Sequence, residues 1–92
     1  MSDLEVSKRT RSDGWICHVR VTDEDGSTTE HDVAVSREDL ALLASGSTDP
    51  IDLVRRSFEF LLEREPKTAI LRSFELPEIG RYFPEFERTI RG

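Results

Sequence analysis

The chain has 92 residues, 36% hydrophobic and 35% charged, which suffices for one small folded domain (residues 1–92) and leaves no room for a second core. Its 13 basic and 19 acidic side chains give a net charge of −6, and their interspersed order disfavours nucleic acid as a partner. A single cysteine excludes an internal disulfide. Because there is no apolar leader and no run of about 20 apolar residues, we expect a cytoplasmic protein without a membrane segment.

The first two predicted elements are strands joined in a hairpin. Residues 4–10 form the first strand and residues 15–21 the second, and both alternate in polarity. A two-residue turn at residues 13–14 would place Val6 opposite Val21. Basic side chains on the first strand would protect an exposed sheet edge against pairing with other sheets. We therefore expect an edge strand at the start of the chain.

A second hairpin joins residues 15–21 to residues 29–35 through the segment DEDGS. We favour a three-residue loop with Gly26 in the left-handed conformation, because both faces of the pair then become chemically consistent. On the polar face, the predicted cross-strand pairs are Arg20–Glu30 and His18–Asp32. On the apolar face, they are Val21–Thr29, Val19–His31, Cys17–Val33 and Trp15–Val35. Together the three strands form an antiparallel meander with one apolar face.

Two helix start signals follow the strands. Ser36 is a candidate N-cap, and Asp39 three residues later resembles a capping box, which indicates a short helix. Asp49 as N-cap and Pro50 at the first helical position begin a longer helix. This helix runs to about residue 65, because Pro66 ends it.

The long helix carries more apolar residues than one buried face requires. One broad stripe comprises Ile51, Val54, Phe58, Leu61 and Leu62. Leu53 and Phe60 lie on another side, beside Arg56 and Arg64, and these four residues are the candidate interface. If they are exposed, they would bind a protein partner or a second copy of the chain. Alternatively, the aromatic C-terminal segment, predicted as short helical pieces that include residues 68–74, covers them.

Cys17 and His18 are the candidates for catalysis. Cys17 and His31 are diagonal neighbours on the predicted apolar face, and a Cys–His pair can activate a thiolate. His18 opposite Asp32 resembles a base with its orienting carboxylate. Burial of the cysteine and a simple cross-strand pair explain the same residues without chemistry. Spacings typical of zinc, EF-hand, phosphate-loop and dinucleotide sites do not occur, so we assign no catalytic, cofactor-binding or metal-ligating residue.

Two resemblances accompany these patterns. The run FEFLLEREPKTAILRSFELPEIGRYFPEF, residues 58–86, resembles small cytoplasmic bacterial proteins of unknown function from high-GC genomes, which implies no particular activity. The order of strands followed by helices is loosely similar to antitoxins with a degenerate double-stranded-RNA-binding-like fold, although the proline-rich loop of those antitoxins is missing between the strands here.

The sequence therefore predicts an α+β domain. A three-stranded antiparallel meander (residues 1–35) is followed by three to four helices (residues 36–92) packed on one face. We expect a small interaction or regulatory protein that acts through an apolar helix surface, with a homodimer as one form. Two alternatives stay open: an antitoxin-like or nucleic-acid-associated regulator, and a small enzyme that uses Cys17 or His18.

Overall fold

A computed structural model describes residues 3–91 and shows an α+β fold with a four-stranded sheet. The strands, in spatial order, are β1 (Asp3–Arg11), β2 (Gly14–Thr22), β3 (Thr28–Ser36) and β4 (Ser73–Glu75). The α-helices are α1 (Arg37–Leu43), α2 (Pro50–Leu62), α3 (Ile79–Tyr82) and α4 (Phe86–Arg91), and 3₁₀ helices lie at Lys67–Ala69 and Leu76–Glu78. Within residues 3–91, every helix is too short or too polar to cross a membrane.

The hairpin of β2 and β3 confirms the predicted register. All six predicted pairs occur, including Arg20 opposite Glu30 on the polar face and Val19 opposite His31 on the apolar face. Gly26 has a φ of 84°, a left-handed value that side chains with a Cβ rarely adopt. Pairing of complementary side chains on both faces thus specifies how these strands align.

The predicted register of β1 was wrong by two residues. Arg11 pairs with Gly14 around a two-residue turn, so that Leu4 lies opposite Val21 and Val6 lies opposite Val19. Gly14 is the first residue of β2 and pairs with Arg11. Only glycine fits there, because a Cβ would lie 2.1 Å from the Val35 carbonyl oxygen. Since side chains alternate with a period of two, the shift leaves every β1 residue on its predicted face.

The sheet is mixed, which corrects the prediction of a three-stranded antiparallel sheet. The chain was predicted to be helical over residues 68–74, but β4 there pairs in parallel with β3, with Phe74 beside Val33. The Asp32 amide donates to the Arg72 carbonyl at 2.7 Å as β4 begins. Strand β4 thus supplies hydrogen-bond partners to the peptide groups at this edge of β3, because buried peptide groups require such partners.

Both predicted helix starts are confirmed by their caps. The Ser36 hydroxyl accepts from the Asp39 amide, and the Asp39 carboxylate accepts from the Ser36 amide, each at 3.0 Å. Asp49 accepts from the Ile51 amide at 2.9 Å, and Pro50 occupies the first turn of α2. These bonds satisfy amide groups that have no partner within a helix.

Helix α2 is buried on two sides. Its Val54 and Phe58 are inaccessible to solvent and belong to the same core as the sheet residues Val19, Val33 and Val35. On another side, Phe60 makes edge-to-face contacts with Phe83 and Phe86, at ring-centroid distances of 5.9 and 5.2 Å. Helix α2 therefore packs against the sheet on one side and against aromatic side chains of the C-terminal segment on another.

Leu53 and Leu42 form a matched pair of leucines for testing this packing. Leu53 is 1% exposed, whereas Leu42 is 49% exposed. Leu53→Ala should lower the free energy of unfolding by about 2–5 kcal/mol, because it removes buried methyl groups and leaves a cavity. Leu42→Ala should change it by less than about 0.5 kcal/mol. Urea unfolding followed by circular dichroism measures both, and equal effects would contradict the burial of Leu53.

Candidate functional site

An apolar groove opens on the surface between the C-terminal end of α2 and the segment that follows it. Its volume is about 380 Å³. Its apolar wall comprises Leu61, Ala69, Ile70, Phe74, Ile79 and Phe83. These residues come from α2, the 3₁₀ helix Lys67–Ala69, β4 and the α3 region. The groove is therefore formed by the C-terminal third of the chain folded against the end of α2.

Two large apolar side chains flank the groove and lie in solvent. Leu71 is 50% exposed and Tyr82 is 68% exposed, and both are among its lining residues. Leu42, the other large apolar residue exposed to a similar degree in the described chain, lies elsewhere, on α1. Exposed apolar side chains next to a concave apolar surface are typical of a binding site.

The charged side chains that line the groove are both acidic. Glu65 and Glu78 are part of the lining, and none of its other residues carries a charge. Glu78 also accepts a hydrogen bond from the Glu75 amide at 2.7 Å, which holds its carboxylate in place. The groove therefore favours a cationic ligand and repels an anionic one.

A buried histidine anchors the wall of the groove to the sheet. His31, on β3, lies 2.7 Å from the Leu71 carbonyl through Nδ1 and 2.9 Å from the Thr29 hydroxyl through Nε2. Because the carbonyl can only accept, Nδ1 carries the hydrogen, and in this neutral tautomer Nε2 accepts from the Thr29 hydroxyl. The His31 ring also packs against Phe58 at 5.3 Å. Leu71 thus has a fixed backbone position despite its exposed side chain.

Lys67 anchors the other end of the same segment. Its Nζ donates to the Asp23 carboxylate at 2.6 Å and to the Ser27 hydroxyl at 2.7 Å, and its side chain is largely buried. Asp23 and Ser27 belong to the loop between β2 and β3. Charge-assisted hydrogen bonds of this kind are short and directional. The groove wall is therefore held at both ends and is formed before any ligand arrives.

Of the four residues predicted as an interface, Leu53 and Phe60 are buried within the chain, and Arg56 and Arg64 are partly exposed. Phe60 is 3% exposed and, like Leu53, is covered within the chain. Arg56 donates to the Ile90 carbonyl at 2.9 Å, and the Arg64 guanidinium lies 3.6 Å above the Phe60 ring. The alternative prediction, that the C-terminal segment covers this side of the long helix, agrees with the structure at Phe60, which contacts Phe83 and Phe86. Exposure, on which the interface hypothesis depended, is not found at Leu53 or Phe60.

Cys17 lies where the catalytic hypothesis placed it but has unfavourable chemistry for a nucleophile. It is inaccessible to solvent, and burial, followed by the charge of Asp49, raises the pKa of its thiol to about 11. His31 is its diagonal neighbour, as predicted, but both ring nitrogens of His31 bond other groups. A thiol with a raised pKa carries little of the reactive thiolate.

His18 lies on the outer face of the sheet between two carboxylates. Its Nδ1 is 3.0 Å from Asp32, and its Nε2 is 2.8 Å from Glu30. Hydrogen bonds to Asp32 first, and then to Glu30, raise the pKa of the imidazole above 6.5. In residues 3–91, no cluster of three or more His, Cys, Asp and Glu side chains is placed to hold a metal ion.

The groove was missed by the sequence reasoning. The prediction of a helix over residues 68–74 placed Ile70, Leu71 and Phe74 in the cover of the long helix. Only Ile70 and Phe74 are buried. The sequence signal for this segment is weak, because only residues 73–76, SFEL, alternate in polarity, and four residues do not distinguish a strand from a turn.

We expect Cys17 to react slowly in the folded chain. A pKa of about 11 instead of 9.0 lowers the thiolate population about one hundredfold near neutral pH, and burial blocks access as well. Alkylation by iodoacetamide, followed by mass spectrometry, should be far slower in buffer than in urea. A Ser45→Cys chain in a Cys17→Ala background supplies an exposed control thiol. Equal rates for Cys17 and the control would contradict the assigned environment.

We expect His18 to titrate above pH 6.5, because its protonated form has two acceptors. The stability that this network adds is present below the unfolded-state pKa and is lost as pH rises through the folded-state pKa. Proton NMR titration of the imidazole measures the shift, and Asp32→Asn should reduce it more than Glu30→Gln does. A His18 pKa at or below 6.5 would show that the network does not form in solution.

Comparisons with known proteins give no further guide to this site. The chain matches no protein-family model, no curated protein sequence and no solved structure. A function must therefore be inferred from the structure itself. The features that bear on it are the groove with its two acidic side chains and the open edge of the sheet at β1.

Proposed function

We propose that this chain is a small interaction protein whose groove binds an apolar, positively charged segment of a partner protein. One observation carries the proposal: an apolar concave surface, flanked by exposed Leu71 and Tyr82, has only acidic charges in its lining. By binding this segment, the chain would regulate the activity of its partner.

The apolar part of the groove supplies the binding energy in this proposal. Tyrosine is enriched among the residues that dominate protein interfaces, because its ring buries a large area and its hydroxyl stays near water. Tyr82 has this position, at the margin of the groove and mostly exposed. A bound partner would cover Leu71, Tyr82 and the apolar wall, and so would bury apolar surface that is exposed to water in the free chain.

The acidic side chains select the partner. Glu65 and Glu78 would pair with lysine or arginine side chains that flank the apolar residues of a bound segment. Phosphate groups of a nucleic acid would meet these carboxylates, and the chain as a whole carries a net charge of −6. A short amphipathic helix with leucines on one face and lysines beside them has the complementary chemistry.

The hydrogen-bonded anchors make the groove a preformed site. His31 and Lys67 hold the segment between α2 and β4 at two points. A surface that is already ordered loses less conformational entropy when a partner binds. Binding should therefore require only small changes in the backbone of the groove.

We expect a designed amphipathic peptide with leucine and lysine to bind the groove, and a matched leucine–glutamate peptide not to bind. Titration of the ¹⁵N-labelled chain, followed by NMR, should show saturable shifts at the amides of Ile70, Leu71 and Tyr82. Tyr82→Ser should weaken binding at least about tenfold, because it removes the ring that contacts the peptide. Leu42→Ser, an exposed apolar residue outside the groove, serves as the control.

A second pair of variants tests the role of charge. Glu65→Gln should lower the affinity for the leucine–lysine peptide, because it removes a charge from the groove. Glu63→Gln, outside the groove, should leave that affinity unchanged. Shifts scattered over the acidic surface, or binding that is insensitive to both Tyr82→Ser and Glu65→Gln, would overturn the proposal.

A further inference from the structure

The open edge of the sheet at β1 carries an ordered pattern of charge. On its outer face, β1 carries acidic Asp3 and Glu5, then Ser7, then basic Arg9 and Arg11. The strand spans nine residues and pairs with β2 on one side only. Acids therefore occupy the first half of the exposed strand and bases the second half, with Ser7 at the centre.

The peptide groups available at this edge can be assigned from the hairpin turn. Arg11 and Gly14 flank a two-residue turn, so odd-numbered residues of β1 exchange hydrogen bonds with β2. Even-numbered residues then direct their amide and carbonyl groups away from the sheet. The Arg55 guanidinium donates to the Leu4 carbonyl at 2.9 Å, which fits this assignment. One lone pair of that carbonyl stays available.

We propose that β1 binds β1 of a second copy of this chain in an antiparallel pair centred on Ser7, which joins two sheets into one of eight strands. In this register, Glu5 lies opposite Arg9 of the second copy, and Asp3 lies opposite its Arg11. The twofold axis repeats both contacts, so four pairs of opposite charge form on one face. Backbone bonds between even-numbered residues join the strands, as in other cases of strand addition.

Charge selects this register over the other ways of pairing two copies. A parallel pair would bring Glu5 near Glu5 and Arg9 near Arg9, which is repulsive. An antiparallel pair centred on Val6 retains contacts only between Asp3 and Arg9. One centred on Lys8 places two lysines together. Pairing about Ser7 is the register that uses all four charged residues of the outer face.

Basic side chains protect this edge against unmatched strands, but in the proposed register Arg9 meets an acidic side chain, and the rest of the edge is compatible with the pairing. Within the described chain, Glu5 and Arg9 take part in none of the ion pairs, so both are available to a second copy. Arg11 contacts Asp13 at 3.0 Å on the exposed surface and would share its charge with Asp3 of the second copy. Glu5 lies opposite Arg20 of β2, and the pairing would place it between two arginines. Lys8, on the other face, contacts Asp49 at 3.2 Å, which neutralises its charge within the chain. The surface shares no residue with the groove.

Charge reversal tests the register directly. Sedimentation equilibrium should show a concentration-dependent dimer of the unaltered chain that weakens as salt increases. Glu5→Arg and Arg9→Glu should each weaken self-association about tenfold or more, because each places like charges opposite one another twice. Arg88→Glu, at an exposed position of α4, is the control for the change in net charge that Arg9→Glu makes.

Mixing the two variants gives the decisive result. A Glu5→Arg chain and an Arg9→Glu chain repel their own copies, but each is complementary to the other in the proposed register. Equimolar mixing should therefore restore dimers, and one chain that carries both changes should dimerise by itself. Unaltered melting temperatures would show that the variants fold. A chain that is monomeric at millimolar concentration, or dimers unaffected by either reversal, would overturn the proposal.

Discussion

Helix α2 has apolar side chains on two sides, and the remainder of the fold is arranged to cover both. The sheet covers the side that contains Val54 and Phe58. The side that contains Phe60 is covered by Phe83 and Phe86 from the C-terminal segment. A chain of 92 residues buries a limited fraction of its surface, so these contacts carry a large share of its stability.

The groove results from the way in which the C-terminal segment packs against α2. Pro66, Pro77 and Pro84 divide it into short pieces, because proline interrupts both helices and strands. Short pieces turn often and pack against α2 at separate points. The anchors at Lys67 and His31 hold the first piece away from α3 and leave an apolar concavity between them. The packing of the C-terminal segment against α2 thus completes the core and also forms the groove.

Much of the sheet and both helix starts could be predicted from the sequence. Cross-strand chemistry, such as His18 opposite Asp32, specified the register of β2 and β3, and capping residues marked α1 and α2. These features depend on neighbours along the chain or on one adjacent strand. The prediction of the turn after β1 failed because the role of Gly14 depends on the Val35 carbonyl, 21 residues further along the chain.

The groove could not be predicted for a related reason. Its wall requires β4, which is three residues long and exists because β3 offers it an unpaired edge. Local propensity cannot specify so short a strand, since tertiary contacts decide its conformation. The same limit applied to Phe60, whose burial depends on how the distant Phe83 and Phe86 fold back.

The two proposed surfaces lie on separate parts of the chain and use different physical forces. The groove would act through apolar burial with a charge filter, whereas the β1 edge would act through backbone hydrogen bonds aligned by charge. A dimer formed through β1 would leave both grooves available. Such an arrangement would present two binding sites from one assembly and increase the apparent affinity for a partner with two matching segments.

The packing of Phe60 is the contact on which the fold and the groove both depend, and isotope-filtered NOE spectroscopy measures it most directly. A mixture of labelled and unlabelled chains separates contacts within one chain from contacts between chains. Packing within one chain should give intramolecular NOEs between the Phe60 ring and the rings of Phe83 and Phe86, whose centroids lie 5.9 and 5.2 Å away. Intermolecular NOEs to Phe60, without the intramolecular ones, would show instead that this side of α2 is an interface between chains and that the proposed internal packing is wrong.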